Sequence, residues 1–372
     1  MNIGLLGCGV VGSGVKEIID ASQKDIKLSK ILVKSMDEIS DERRTTDIND
    51  LLSPDIDLIV ECIGGVDTAF KYISMALKAK KNVVTSNKKV MATHYENLVN
   101  LAKENSVGLA FEASVGGGIP WMENIRHIKR IDKISSFEGI FNGTTNYILD
   151  SMTNQEKDFS LVLKEAQNLG YAESDPTDDI DAHDVKYKCC LSANFIWDSS
   201  IKLEDIIFFG IRNITKKDID FAIKHNRITK LIGRANKEGE NLNIFVLPKF
   251  IKNSENIAHI PKNLNCVKLS SEFLGESSYI GQGAGKYPTA HAVVQDIISI
   301  YENRELNPKI LEKLNIKNNY SSNFYIRTDN IDKFKDIILE KIDIDTIITK
   351  VVKLKDIENL IDDKTFIAEM NL

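Results

Sequence analysis

Residues 1–20, MNIGLLGCGVVGSGVKEIID, decide the fold. Gly7, Gly9 and Gly12 form the pattern G-x-G-x-x-G, directly after an apolar run that we predict to be a strand and directly before a helical pattern. The first glycine permits a tight turn, the second lets the backbone approach a pyrophosphate, and the third lets the helix pack closely on the strand. The turn is therefore predicted to bind a dinucleotide through Gly7, Cys8, Gly9, Val10, Val11 and Gly12.

Short apolar runs alternate with amphipathic helical patterns up to about residue 112. This alternation is typical of parallel strands joined by crossover helices. We predict strands at 3–6, 28–33, 58–62, 82–85 and 107–111, with helices that include 11–19 and 68–80. The predicted fold class is α/β, with a doubly wound Rossmann-type sheet in a dinucleotide-binding domain, residues 1–125, that binds ligands at the carboxyl ends of its strands.

The pattern changes after this domain. Residues 126–305 predict a second, α+β domain, mainly helical at first and then rich in hairpins, with a further helix within about 287–303. Residues 320–372 predict a small separate unit, with strands at 323–327 and 346–352 and a helix at 331–341 between them.

Composition and net charge narrow the classes of function that the chain can have. The 372 residues are 42% hydrophobic and 27% charged, with a formal net charge of −6. These values exclude disordered, collagen-like and membrane-bundle classes, and they disfavour nucleic acid and membrane surfaces as partners. A small-molecule substrate is favoured. Five cysteines without a C-x-x-C pair are typical of reduced thiols, so a cytoplasmic location is expected.

The end of the predicted second strand bears on cofactor choice. NAD-selective enzymes place an acid there, on the ribose 2′-hydroxyl. This chain has Lys34 and Ser35 instead, with Asp37 slightly beyond. An ammonium at Lys34 neutralises a 2′-phosphate, which favours NADP over NAD, although a solvated strand end explains the same residues equally well.

Two further segments follow predicted strands. Lys88 and Lys89 come after the fourth strand, at the sheet edge where nicotinamide and substrate meet, but either lysine fits an ordinary surface position. Residues 112–120, EASVGGGIP, follow the fifth strand, and three glycines in a row allow carbonyl oxygens to turn inward toward a hard cation. A flexible turn has the same pattern.

Residues 170–188 hold the densest cluster of chemical groups, with six carboxylates between Glu173 and Asp184. Helix N-capping accounts for Asp178, Asp179 and Asp181. Asp184 and Lys188 lie four residues apart on one predicted helix face, either as a surface ion pair or as a proton-handling pair for an alkoxide formed by hydride transfer to a carbonyl. The residues alone leave both readings open.

Together these motifs resemble those of the homoserine dehydrogenase family. The similarity spans about residues 1–305 and includes GLLGCGVVGSGV at 4–15, ECIGG at 61–65, TSNKK at 85–89, FNGTTNYIL at 141–149, the 170–188 segment and GQGAGKYPTA at 281–290. The resemblance implies reduction of L-aspartate 4-semialdehyde to L-homoserine with NADPH or NADH (EC 1.1.1.3), on the route to threonine, methionine and isoleucine.

The resemblance also implies roles for residues. Lys188 is the implied proton donor and Asp184 its carboxylate neighbour, which also binds substrate. The resemblance assigns further substrate contacts to Glu173, Lys88 and Thr144. It assigns further cofactor contacts to Gly64, Lys88 and Gly285. The helix at about 287–303 is expected to return to the first domain. A monovalent cation, sodium, is implied at Glu112, Val115, Gly117 and Ile119. The second domain is expected to form a homodimer.

The chain departs from the family at some positions. Ala182 stands where the family usually has glycine, and Lys186 where it often has a small residue. Longer members carry a C-terminal ACT domain that senses threonine, and the tail, 320–372, resembles a truncated version without its usual Asp-x-Pro-Gly turn. Two alternatives remain: an aldehyde dehydrogenase that uses Cys189 or Cys190 as a thioester nucleophile, and a non-catalytic sensor of nucleotide and amino acid.

Overall fold

The protein is described by a computed structural model over residues 1–304, 307–311 and 313–372. It has two compact units. Unit 1 comprises Met1–Arg130, Cys190–Lys202 and Gln282–Lys313, and unit 2 comprises Ile131–Cys189, Leu203–Gly281 and Leu314–Leu372. The expected domain limit at 305 falls outside the described residues, and the limits at 125 and 320 remain predictions. Among the described residues, no helix is both long and apolar enough to span a bilayer.

Unit 1 contains a parallel six-stranded sheet in the order β3-β2-β1-β4-β5-β6. This is the order of dinucleotide-binding sheets, so the predicted fold class is confirmed. The five predicted strands are present, and the two-residue β3 is an addition that the sequence pattern did not indicate. The strands are β1 (Asn2–Leu6), β2 (Lys27–Leu32), β3 (Arg44–Thr45), β4 (Leu58–Glu61), β5 (Asn82–Thr85) and β6 (Leu109–Ala110).

Within the described part of the chain, the α-helices that lie wholly in unit 1 are α1 (Val10–Ala21), α2 (Asp67–Lys78), α3 (Lys88–Asn105), α4 (Trp121–Lys129) and α10 (Lys286–Tyr301). Helix α10 packs against α1, and a Cβ on Gly14 of α1 would come within 3.0 Å of the Ala290 side chain. The two helices share an apolar core with strands β1, β2 and β4. The second half of the chain therefore contributes to the core beneath the glycine-rich turn.

Unit 2 is built on a mixed sheet in the order β12-β11-β7-β9-β10-β19-β15-β17-β16, with β8 and β13 also paired to β10. Its helices are α5 (Gly143–Gln155), α6 (Phe159–Asn168), α7 (Thr177–Ile180), α8 (His183–Trp197, which passes into unit 1 at Cys190), α9 (Lys216–Lys224) and α11 (Leu354–Ile357). Its strands before the tail are β7 (Ile134–Ile140), β8 (Ile207–Phe208), β9 (Arg227–Glu238), β10 (Asn241–Lys252), β11 (Leu264–Ser271) and β12 (Gly275–Gln282).

The tail adds β13 (Asn315–Ile316), β14 (Ser321–Ser322), β15 (Phe324–Arg327), β16 (Ile338–Lys341), β17 (Thr346–Thr349), β18 (Val352–Lys353) and β19 (Phe366–Glu369). The predicted helix 331–341 is wrong in its second half, because Ile331–Ile337 is a 3-10 helix and the following residues form β16. Four tail strands pair antiparallel in the order β19-β15-β17-β16, which is the ferredoxin-like βαββαβ arrangement with very short helices.

The tail shares a sheet and a core with the rest of unit 2. Strand β19 pairs with β10 at Lys249 and Glu369. Phe245 and Leu247 of β10 pack in one cluster with Phe324 and Ile326 of β15. The tail is therefore a continuous extension of the unit 2 sheet, although the sequence pattern indicated a separate unit. Its kinship with ACT domains stays a prediction.

Candidate active site

The glycine-rich turn of unit 1 has the geometry that a dinucleotide requires. Gly7 has φ +86°, and a Cβ there would lie 2.8 Å from the Ile63 side chain. A Cβ on Gly12 would lie 2.1 Å from the Gly7 carbonyl oxygen, whereas a Cβ on Gly9 would meet nothing within 4 Å. Gly9 is also the N-cap of α1 and supplies no side-chain cap to its N–H groups. The turn therefore leaves open space at the positive end of a helix, where a pyrophosphate binds.

A buried carboxylate organises the neighbouring strand ends. Glu61, at the end of β4, is fully buried and accepts hydrogen bonds from the backbone N–H groups of Ile63 and Gly64 and from the Thr85 hydroxyl. Asn87 caps α3 and donates to the Gly65 carbonyl oxygen at 2.7 Å. Burial raises the pKa of Glu61. The turn that contains Gly64 is thus fixed beside the glycine-rich turn.

Lys34 is exposed just beyond β2, and its backbone N–H donates to Glu38 Oε2 at 2.9 Å. Arg43, at the same sheet edge, binds both carboxylate oxygens of Asp20 and of Asp41. The Arg43 guanidinium holds the pKa of Asp41 well below its usual range. Arg43 is therefore neutralised by acids, and Lys34 is the cation to consider for a 2′-phosphate.

The remaining predicted cofactor residues lie at helix starts of unit 1. Lys88 is the first residue of α3 and is half-buried. Gly285, with φ +125°, is the N-cap of α10. The next residue, Lys286, pairs with Glu17 of α1 at 2.8 Å, which ties the start of α10 to the helix after the glycine-rich turn.

The predicted cation loop is almost entirely buried. Glu112, Val115, Gly117 and Ile119 are all buried. The Glu112 carboxylate accepts the backbone N–H groups of Met122 and Glu123 at the start of α4, and the Glu112 N–H donates to Asp296 at 2.8 Å. Desolvation raises the pKa of Glu112 and that of Asp296, and the Asp296 carboxylate raises the pKa of Glu112 further.

This loop offers carboxylate and carbonyl oxygens, which are the ligands of a hard cation. Among the described residues, no group of three or more His, Cys, Asp or Glu side chains is arranged to hold a metal ion. A site made mainly of backbone carbonyl oxygens does not need such a group. The donor chemistry fits a monovalent cation, whose charge would offset two buried acids.

In unit 2, the structure brings Asp184 and Lys188 together. Lys188 Nζ lies 2.8 Å from Asp184 Oδ2 and also donates to the Phe141 carbonyl oxygen at 2.6 Å. Only 7–8% of either side chain is exposed. The surface ion pair that the spacing allowed is therefore excluded. Burying two charges carries a desolvation cost that surface pairs avoid.

Asn142 connects this pair to the acidic segment. It is the N-cap of α5 and accepts the Thr145 N–H, while its Nδ2 donates to Asp184 Oδ2 at 2.9 Å and to Asp179 Oδ1 at 2.7 Å. Asp179 thus holds an amide from another helix in addition to its place in the first turn of α7. Asp181 binds Arg212.

The other predicted substrate residues of unit 2 lie in two settings. Thr144 is buried in the first turn of α5 and donates to the Tyr171 carbonyl oxygen at 2.6 Å. Glu173 is exposed, and its carbonyl oxygen accepts the Gln167 side-chain amide. Cys189 and Cys190 are completely buried, which argues against a thioester nucleophile.

Sequence reasoning missed two groups that surround the Lys188 ammonium: an acceptor, and a second donor to that acceptor. One is the Phe141 carbonyl oxygen, which no residue pattern reveals because every residue carries a carbonyl. The other is Asn265 at the start of β11, whose Nδ2 donates to that same oxygen at 2.8 Å. Asn265 lies more than 70 residues after the 170–188 segment, so no local sequence pattern connects the two.

Comparison with known proteins agrees with this geometry. Residues 7–112 match the model of the homoserine dehydrogenase NAD-binding domain, and residues 120–298 match the homoserine dehydrogenase model. The Bacillus subtilis homoserine dehydrogenase is 37% identical over 320 residues, which cover 82% of this chain and 74% of that protein. The Corynebacterium glutamicum enzyme is 34% identical over 323 residues, which cover 82% and 72%.

Solved structures extend the similarity to the tail. The crystal structure of a Thiobacillus denitrificans homoserine dehydrogenase has a TM-score of 0.89 at 27% identity and covers 100% of this chain and 98% of its own. The S. aureus enzyme has a TM-score of 0.78 at 32% identity, with coverage of 100% and 99%. This chain therefore belongs to the homoserine dehydrogenase family and has homoserine dehydrogenase activity (EC 1.1.1.3), a step of aspartate-family amino-acid biosynthesis.

Proposed function

We propose that Lys188 is the proton donor of this activity, in the reduction of L-aspartate 4-semialdehyde to L-homoserine. The observation that carries the proposal is the buried contact of Lys188 with Asp184 and with the Phe141 carbonyl oxygen. Two acceptors fix the direction of the ammonium, and a positioned donor is what general acid catalysis requires.

The reaction combines a hydride from the cofactor with a proton from Lys188. A reduced nicotinamide, when bound at the glycine-rich turn, supplies the hydride that the aldehyde carbon accepts. The Lys188 ammonium gives its proton to the aldehyde oxygen as negative charge develops there, which yields the alcohol and leaves a neutral amine. Asp184 orients the ammonium before transfer.

Other side chains are assigned to binding. Glu173 takes the ammonium of the substrate, with an exposed carboxylate in support. Asp184 and Thr144 complete the substrate contacts, and Lys88 is assigned to contact with cofactor and substrate. The hydrogen bond from Thr144 to the Tyr171 carbonyl oxygen links α5 to the acidic segment, which supports a shared pocket.

NADP is the proposed cofactor, because Lys34 stands at the end of β2 and Arg43 is already bound by two acids. Comparing kcat/KM for NADPH and NADH tests this choice. A higher value for NADPH that falls at least fivefold in Lys34→Ala supports it. A strong preference for NADH contradicts the NADP assignment and leaves the proposed role of Lys188 unaffected.

A monovalent cation, sodium, is assigned to the loop of Glu112, Val115, Gly117 and Ile119. Its support is the burial of the loop: desolvation raises the pKa of Glu112 and of Asp296, and a bound cation would favour their charged forms. Thermal melting in sodium and in tetramethylammonium salts of equal ionic strength tests the assignment, with a higher Tm expected in sodium.

The remaining parts of the proposal concern oligomeric state, cellular location and regulation. A homodimer through unit 2 is supported by exposed apolar side chains at Phe273, Leu274 and Ile280. Five free cysteines support a cytoplasmic location. Response to threonine through the tail is tested by adding threonine to the assay.

The central experiment supplies L-aspartate 4-semialdehyde and follows loss of NADPH absorbance. Asp184→Asn should lower kcat at least tenfold and change NADPH affinity little, since it removes the charge that orients Lys188. Turnover by Asp184→Asn at the wild-type rate would remove Asp184 from the mechanism.

A further inference from the structure

We propose that Asn265 is a positioning residue that holds the Phe141 carbonyl oxygen in place and thereby aims the Lys188 ammonium. The inference rests on the proposed role of Lys188 as proton donor. Asn265 is completely buried, and its Nδ2 reaches the Phe141 oxygen at 2.8 Å, while Lys188 Nζ reaches it at 2.6 Å. Two donors from different elements therefore converge on one acceptor.

The Phe141 carbonyl sits where β7 gives way to α5. The ladder between β7 and β11 ends with the pair Ile140 and Cys266, so Phe141 and Asn265 are the next residues on each strand. Past the end of a ladder, a carbonyl is no longer fixed by strand pairing. The Asn265 side chain adds a constraint on this carbonyl at the point where Lys188 needs a fixed acceptor.

Asn265 is itself held by a rigid segment. Residues 260–264 precede it, and the carbonyl oxygens of Ile260, Lys262 and Leu264 share the two N–H groups of the Asn146 side-chain amide on α5. Lys230, completely buried on β9, donates to Asn146 Oδ1 and to the Ile260 carbonyl oxygen, both at 2.8 Å. These contacts tie the approach to Asn265 to the same helix whose N-cap, Asn142, binds Asp184.

The other end of the Asn265 amide argues against a purely structural role. Its Oδ1 is buried and has no hydrogen-bond partner among the described residues. Buried polar atoms are nearly always paired, and exceptions need an explanation. Leucine has nearly the same shape and would avoid the unpaired oxygen, so the amide is explained by what its N–H group does for Phe141.

The test replaces Asn265 by leucine, which keeps the volume and removes the donor. Because small misplacements of a catalytic group slow the chemical step strongly, Asn265→Leu should lower kcat about tenfold or more. KM for NADPH should stay within about twofold, since binding of the cofactor does not use Lys188. The solvent deuterium isotope effect on single-turnover hydride transfer should increase, because proton donation becomes more limiting.

Asn323→Leu is the matched control. Asn323 is also buried in unit 2 and also donates its Nδ2 to a backbone carbonyl oxygen, that of Thr349, but this bond lies in the tail. The control should lower Tm and leave kcat and the isotope effect at wild-type values. If Asn265→Leu does not fold, shown by loss of NADPH fluorescence enhancement, Asn265→Asp provides the same readouts with an isosteric side chain.

Wild type and Lys188→Ala are measured in parallel to separate two failures. If Lys188→Ala keeps normal turnover, the proposed proton donor is wrong. If Lys188→Ala is impaired but Asn265→Leu matches Asn323→Leu in kcat and isotope effect, the positioning role is overturned while the proposed function stands.

Discussion

The glycine-rich turn of unit 1 and the Lys188 site of unit 2 are built in opposite ways. The turn consists of backbone within six consecutive residues, and the missing side chain of Gly9 leaves open space for a ligand. The Lys188 site consists mainly of side chains, contributed by α5, α7, α8 and β11. Binding a pyrophosphate needs N–H groups that every helix start has, whereas aiming one proton needs groups converging from several elements.

This difference predicts how each site fails. Damage to the turn should act first on folding and cofactor affinity, because the same atoms close the strand-to-helix connection and face the ligand. Damage to the Lys188 site should act on rate, because its groups matter most when charge develops on the substrate oxygen.

The largest expected effect is on rate. Lys188→Ala should lower kcat by about 10²- to 10⁴-fold, since that is the usual contribution of a general acid. The Kd for NADPH, measured by fluorescence, should remain within about twofold of wild type. Lys186→Ala is the control on the same helix; its ammonium lies over the Phe208 ring, and its kcat should be unchanged. Equal kcat values for Lys188→Ala and Lys186→Ala would show that Lys188 is not the general acid.

A second prediction separates folding from binding within the turn. Gly12→Ala places a methyl group 2.1 Å from the Gly7 carbonyl oxygen. It should destabilise the protein by about 2–4 kcal/mol, as overpacking against backbone does. Gly9→Ala, where the methyl meets open space, should keep the wild-type Tm and weaken NADPH binding. Urea unfolding and NADPH titration measure the two effects, and a normal NADPH affinity in Gly9→Ala would place the pyrophosphate elsewhere.

A third prediction concerns pH and the segment behind Asn265. Burial lowers the pKa of the Lys230 ammonium to about 8, from 10.5. Between these values the unfolded chain binds more protons at Lys230 than the folded one, so Lys230 makes stability rise as pH increases from about 8 to 10.5. The cost of burying the charge is fully present below pH 8.

Lys230→Met removes this titration. Urea unfolding at several pH values should therefore show a flatter stability profile between about pH 8 and 10.5 for the variant than for wild type. Lys249→Met on the neighbouring strand is the comparison, because Lys249 lies near the Glu138 carboxylate at 3.8 Å. Parallel profiles for wild type and Lys230→Met would show that Lys230 is not the titrating group.

The smallest expected effect is a gain in stability. Ala182, directly before α8, is completely buried with φ +68°, a left-handed conformation that suits glycine. Ala182→Gly should raise the free energy of unfolding by about 1 kcal/mol, because the strain of a Cβ in this region is relieved. Urea unfolding measures it. A destabilised variant would mean that the packing of the alanine methyl outweighs the strain, and Ala193→Gly, within α8, should lose stability in any case.

The tail shows where a local pattern misleads. Residues 338–341, two apolar and then two charged, fit the continuation of a helix that begins at 331. They form strand β16 because pairing with β17 satisfies their backbone hydrogen-bonding groups at the edge of the sheet. Similarly, nothing in residues 366–369 indicates that this strand pairs with β10, more than 100 residues earlier. Sheet partners are chosen by tertiary packing.

The sequence alone determined the dinucleotide fold, the glycine-rich turn and the pairing of Asp184 with Lys188 on one helix. These features follow from short-range geometry: steric limits on the backbone and the 3.6-residue period of a helix. The tertiary structure decided that this pair is buried, that the Phe141 carbonyl oxygen accepts from both Lys188 and Asn265, and that the tail extends the second sheet. Such contacts join residues far apart in the chain, and only the packing of the whole unit brings them within hydrogen-bonding distance.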